Sequence, residues 1–446
     1  MLKNIYLTVE KILTAKKVKE FDLYFEREIS RTFEVKDQVL ESAKEAVQVG
    51  VGLRIFKDHR VSFVYSTDLS ETGINGFCEA AVNLLTLVDP DEDNGLPPAA
   101  KKLPSIDLKD FDSTLESIPT SKKIALALAM EKTAREYDPR VKHVRGASYD
   151  EQVLHYELIN TQGFHGTHSK TLCSLNVMAV AEDQNEAESG YEFDFSPFFQ
   201  SLNPQKVGKA AARLAVGYLG GKTPSTRRVP IVLDPLVTAE ILKIIAQSFQ
   251  GDEVFKERSF LKEKLGQQVY SRQVKIIDDA LRASGMGSTP FDGEGQASIQ
   301  KVLIENGVAK SFLLDHFYAK KLGMKSNASS VRNGIKRSPK ISFNNLIMEA
   351  GSKSDAQIFK DIGSGILVTE TIGMHAANPI TGDFSIGIQG FLIEDGSKTL
   401  PIKKAALAGN LHQMMADILE VGANHRFSYN VGAPTVAIRE MAVSGS

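Results

Sequence analysis

The residues able to do chemistry in this chain are histidines, carboxylates and two cysteines, and their spacing is restrictive. A zinc hydrolase needs two histidines on one helix, a glutamate beside the first to activate water, and a further ligand from elsewhere. The chain has 9 histidines and none is followed by glutamate. None lies between His168 and His316, so a long middle stretch contains no imidazole. His165-Gly166-Thr167-His168 is the only close pair. It could share a metal with ligands from elsewhere, but beside a turn such a pair is far more often a polar strand start.

Other groupings are weaker. Asp234 with Asp278-Asp279, and Asp292 with Glu294, offer paired carboxylates for acid/base work if the fold brings them together. Asp292-Gly293-Glu294-Gly295 also has the composition of a tight turn, and the glycines from Gly285 to Gly295 would let another backbone approach closely. Asp89, Asp91, Glu92 and Asp93 lack the ligand spacing of a calcium loop and read as a solvated connector. Gly217 to Thr223 falls one residue short of a phosphate-binding loop and follows a helix instead of a strand, so it reads as a helix stop. There is no Gly-x-Ser-x-Gly elbow, and Cys78 and Cys173 read as small buried hydrophobes.

The elements that must position these groups follow from periodicity. Residues 4–17 predict a helix, with Ile5, Leu7, Val9, Ile12 and Leu13 grouped on one side. Alternation then predicts strands over 21–26, 30–35, 46–55 and 60–66, the last two forming a hairpin turning at Lys57-Asp58-His59-Arg60. Helices are expected over 70–87, 121–136, 204–219 and about 235–250, and strands over 141–174 and 229–233. Short strands with glycine-bearing turns fill the remainder, an α+β pattern without regular βαβ alternation. A length of 446 residues implies two domains, divided at Gly220–Ser225: an α+β domain over 1–222 and a β-rich domain over 223–446. The net charge of −2 gives no reason to expect a nucleic-acid partner. No window is apolar enough to span a bilayer and no leader opens the chain, so a cytoplasmic protein is expected.

From Ser288-Thr289-Pro290-Phe291-Asp292-Gly293-Glu294-Gly295 onward, further motifs follow in order. They are Ile304-Glu305-Asn306-Gly307, Leu313-Leu314-Asp315, Lys321-Leu322-Gly323-Met324, Asn378-Pro379-Ile380-Thr381-Gly382-Asp383-Phe384-Ser385 and Ala408-Gly409-Asn410-Leu411. This ordered set resembles the TldD/PmbA family of two-domain proteins linked to zinc-dependent peptidase activity and once described as modulators of DNA gyrase. The catalytic branch of that family carries His-Glu-x-x-x-His before a Gly-Asp pair. Anchored on Gly251-Asp252, those three functional positions match Leu242, Lys243 and Gln247 here. The family's third ligand is a cysteine, and the matching stretch Asn424–Pro434 has none, offering only His425.

The resemblance therefore implies the PmbA/TldE-like branch: a non-catalytic subunit with no catalytic or metal-binding residue of its own and no cofactor, zinc being expected only in a TldD-like partner. It implies a dimer, with that partner or with a second copy, acting on unfolded or extended peptides. Asn378, Thr381, Gly382 and Asp383 are the expected peptide-binding loop. The alternatives are a self-sufficient metallopeptidase with a non-standard site, such as the His165/His168 pair, or a non-enzymatic binding or modulator protein.

Overall fold

The structure is a computed structural model describing residues 2–100 and 102–445. Its first half is one antiparallel six-stranded sheet in the order β3-β2-β1-β4-β5-β6. The strands are β1 (Glu20–Lys36), β2 (Val39–Lys57), β3 (Arg60–Ser66), β4 (Val141–Asn160), β5 (His165–Asp183) and β6 (Glu186–Ser196). What the alternation split into separate runs over 21–35 is a single strand of 17 residues. Side chains alternate faces along it. Phe21, Leu23, Ile29 and Phe33 lie on one face, and all four helices of this half cover that face. α1 (Leu2–Ala15) and α2 (Glu71–Leu84) pack over one end of the strands, α3 (Thr120–Glu136) and α4 (Pro204–Tyr218) over the other. α1 buries Leu2, Ile5, Val9 and Leu13, whereas Leu7 is exposed, since two residues of helix turn it away from Ile5. Among the described residues no helix is long and apolar enough to cross a membrane.

In the second half, β7 (Arg227–Leu233) leads into α5 (Pro235–Ile245). α5 continues as a 3-10 turn over Ala246–Phe249, so the α-helix ends five residues short of the expected 250. β7 pairs with Gly365–Ile372 and Val436–Gly445; Asp383–Glu394 and Ser397–Asn410 complete the circuit, closing a five-stranded barrel. A second sheet runs from Val308–Ala309 to Arg426–Ser428, and α5 packs between sheet and barrel in one continuous apolar core.

The helix-free face of the first sheet is polar, and the second half docks there. Asp22, Tyr24 and Glu26 are buried on that face. Arg54 donates from Nε to Asp22 at 2.8 Å and from Nη1 to Glu294 at 2.9 Å. Arg332 donates to Asp22 at 2.7 Å and to the Gly293 carbonyl at 2.7 Å, and its guanidinium lies over the Tyr24 ring. Beside this network Ile335 enters an apolar cluster of Tyr24, Leu158, Phe164 and Phe291. Gly50 leaves room for it, since a Cβ there would stand 2.3 Å from Ile335 Cδ1. The acidic connector is not merely solvated: Lys321 bridges Asp91 at 2.7 Å and Asp93 at 3.0 Å.

A buried ion pair stripped of one partner leaves the other charged in a dry site. Arg54→Met should therefore lower stability by about 3–5 kcal/mol, seen as a reduced urea midpoint, with an unchanged midpoint as the contrary result.

Candidate functional site

The matched metal-site positions diverge in space. Asp234 caps α5, accepting from Leu236 N at 3.0 Å, and Pro235 fits the first helical turn, where its missing N–H costs nothing. Leu242 then points into the apolar core with 1% exposure, while Lys243, one residue on, is exposed. Gln247 falls in the 3-10 turn and donates to Glu253 at 3.1 Å, whose other oxygen accepts from Arg258 at 2.7 Å. His425 donates from Nε2 to the Met348 carbonyl at 3.1 Å, and burial holds its pKa below the ordinary value. An alkyl group, an ammonium and an amide already engaged by a carboxylate do not fit zinc. No group of three or more His, Cys, Asp or Glu among the described residues could hold a metal ion.

The histidine pair is separated by strand geometry. An offset of three residues on β5 sends the two side chains to opposite faces. His165 contacts Glu157 at 2.6 Å on the helix side, and His168 contacts Asp110 at 2.9 Å. On opposite faces of the sheet, the two cannot share an ion.

Asp292 and Glu294 do converge, but where the second half meets the first sheet. Asp292 Oδ1 accepts from the backbone N of Glu294 and of Gln296, both at 2.9 Å, and Glu294 accepts from Arg54 and from His316 N at 3.0 Å. Burial, then the Glu294 charge, raises the Asp292 pKa to about 7, and the same two causes raise Asp315 to about 7. Asp278 meets Lys301 at 2.9 Å, a separate buried pair, and Asp234 is not part of it. Cys78 and Cys173 are buried thiols, as expected of small apolar fillers.

Asn378, Thr381, Gly382 and Asp383 form a self-contained turn at the start of a barrel strand. The Asn378 side chain accepts from Ile380 N at 2.9 Å and Thr381 N at 3.2 Å. Asn410 donates to the Thr381 carbonyl at 2.7 Å and to Asp383 at 2.9 Å. Gly382 sits at φ 83°, where a Cβ would stand 2.8 Å from the His412 ring. The turn lines none of the cavities along the first sheet.

The groove that could hold a polymer lies elsewhere. Tyr191-Glu192-Phe193-Asp194-Phe195 alternates as a strand should, a signal present in the sequence although no element was expected there. β6 is the sheet's edge, and its Phe193 and Phe195 amides donate to the Glu192 and Asp194 carboxylates, both at 3.0 Å. Phe193 and Phe195 stack on Tyr429 at 6.0 and 5.2 Å. Arg282 lies 4.3 Å from the Phe427 ring centroid, and Lys206, Lys209 and Arg213 of α4 complete a groove of about 730 Å³. His425 lines it too, so the stretch matched to the family's third ligand is one of its walls.

Three family models match in order: PmbA/TldA metallopeptidase domain 1 over residues 21–85, the central domain over 113–219 and the C-terminal domain over 226–445. The chain belongs to the PmbA/TldD family. It is 28% identical to a metalloprotease PmbA homolog of Haemophilus influenzae, over 92% of this chain and 88% of that one. It is 25% identical to the metalloprotease TldD homolog of the same organism, over 99% and 96%. A solved Thermotoga maritima protein, described as a proposed modulator of a DNA gyrase, superposes with TM-score 0.91 at 25% identity over the whole of both chains. TldE of Thermococcus kodakarensis shares the fold, with TM-score 0.89 at 21% identity and full coverage of both chains.

The raised Asp292 pKa makes stability fall with pH. The folded carboxyl keeps its proton above the unfolded value of about 4, so its contribution is fully present below that pH and lost as pH rises through about 7. Asp292→Asn should shrink the loss of stability between about pH 5.5 and 8 by on the order of 1–2 kcal/mol, measured by urea titration at both values. A decline parallel to that of the parent chain would contradict this assignment.

Proposed function

We propose that this chain is the non-catalytic, PmbA/TldE-like subunit of a two-component metallopeptidase that cleaves unfolded or extended polypeptides. The observation that carries the reading is the fate of the matched helix: Leu242 in the apolar core, Lys243 in solvent, and Gln247 bound to Glu253. On this reading zinc belongs to a TldD-like partner, which supplies ligands and water activation, or a second copy of this chain fills the partner's place without chemistry. Relatives called metalloproteases fit if the activity is a property of the pair.

Substrate contact is assigned to the groove along β6 in preference to the Asn378–Asp383 turn, whose polar groups are occupied by one another and by Asn410. An extended peptide added beside an edge strand satisfies its own backbone groups there without demanding a particular sequence. The stacked rings of Phe193, Phe195 and Tyr429 then offer flat apolar contact to alternate side chains.

The test mixes this chain with a metal-bearing relative and follows cleavage of an unfolded protein. Neither subunit alone should match the pair, and Tyr429→Ala in this chain should raise the KM of the pair by roughly tenfold with kcat little changed. Cleavage by this chain alone, abolished by chelation, would overturn the assignment.

A further inference from the structure

A second cavity, of about 610 Å³, lies between the helix-free face of the first sheet and the loop that follows Ser330. That volume is in the range of roughly 300–1,000 Å³ typical of small-ligand sites. Its lining is rich in side-chain amides: Gln48 of β2, Gln152 of β4, and Asn333, Asn344 and Asn430 from the second half. Asn344 and Asn430 already donate to the Gly287 and Asn344 carbonyls. Gln48, Gln152 and Asn333 are therefore the amides that offer a donor and an acceptor together, the same pair that each residue of an extended peptide presents.

The charges are not self-cancelling. Lys170 of β5 lines the cavity, and its ammonium has one hydrogen bond, to the Met286 carbonyl at 2.9 Å, with no carboxylate in ion-pair contact. Burial holds its pKa below the ordinary lysine value, and the charge of Asp110 offsets that only in part. Lys336 and Arg337 add two exposed cations to the lining, neither in an ion pair within the described residues.

We infer that this cavity binds the free C-terminal end of a short extended peptide, with the carboxylate on Lys170 and the backbone on the side-chain amides. The inference rests on extended polypeptide being the substrate class, but not on the chain's being an accessory subunit. Glu26 and Glu28 in the same lining oppose a polyanion such as a nucleotide, whereas a peptide end carries one negative charge and several N–H donors. The site lies apart from the β6 groove, sharing only Met286 with its lining, so one chain could hold a peptide's end while another segment is engaged.

The test is calorimetric titration of the full chain, without any partner, with tetra-alanine as the free acid and as the C-terminal amide. The acid should bind, and the amide should bind roughly tenfold or more weakly. Lys170→Met should bring the acid down to the affinity of the amide. Equal binding of acid and amide, no binding of either below about millimolar concentration, or an unaltered preference in Lys170→Met would each overturn the proposal. Should that variant not fold, the acid-against-amide comparison on the parent chain decides alone. Because no hydrolysis is read, failure of the two-subunit assay and failure here are separate outcomes.

Discussion

Arg54 is the hinge pin of the molecule. It stands on the polar face of the first sheet, held between Asp22 of its own sheet and Glu294 of the second half. Arg332 returns from the second half to the same Asp22, so two cations and two anions are shared across the junction. Buried charge of this kind is weak as net stabilisation but strict in geometry, since any misdocking strands a charge out of water. Both cavities take part of their wall from the sheet face that this network positions. Gly295 belongs to the same constraint, at φ 84° with a Cβ position 2.7 Å from the Phe164 ring.

Much of the fold was legible because periodicity reports burial. The amphipathic helices, the hairpin at Lys57–Arg60 and the helix stop at Gly220 follow from local pattern alone. Alternation alone splits β1 in two, because Arg27 and Glu28 interrupt it, and misses β6, whose turn at Asp183–Glu186 carries no glycine or proline. The junction was least legible. Asp292-Gly293-Glu294-Gly295 was visible as a turn with two acids, but its partners Asp22, Arg54 and Arg332 are scattered over 310 residues. Sequence distance hides such a network until the sheet faces are known. The family motifs were legible as an ordered set, and the matched metal positions as a substitution; that Leu242 meets the apolar core while Lys243 meets solvent needed coordinates.

The helix matched to the family's metal motif is ordinary core in this chain. Leu242 fills space among Val237, Ile241 and Ile245, and an imidazole there would bury a polar ring in an apolar cluster. The aromatic and basic walls of the β6 groove and the amide-lined cavity on the first sheet's polar face are not part of that core. Their composition suits backbone recognition with little sequence preference, the demand that unfolded substrates make.

The central claim is that this chain offers no seat for a catalytic ion. It is tested most directly by elemental analysis of the protein purified alone, equilibrated with zinc and then gel-filtered. The account predicts a zinc content far below one ion per chain, with the metal appearing only when a metal-bearing relative is copurified. One zinc retained per chain, lost on Gln247→Ala or His425→Ala, would contradict it.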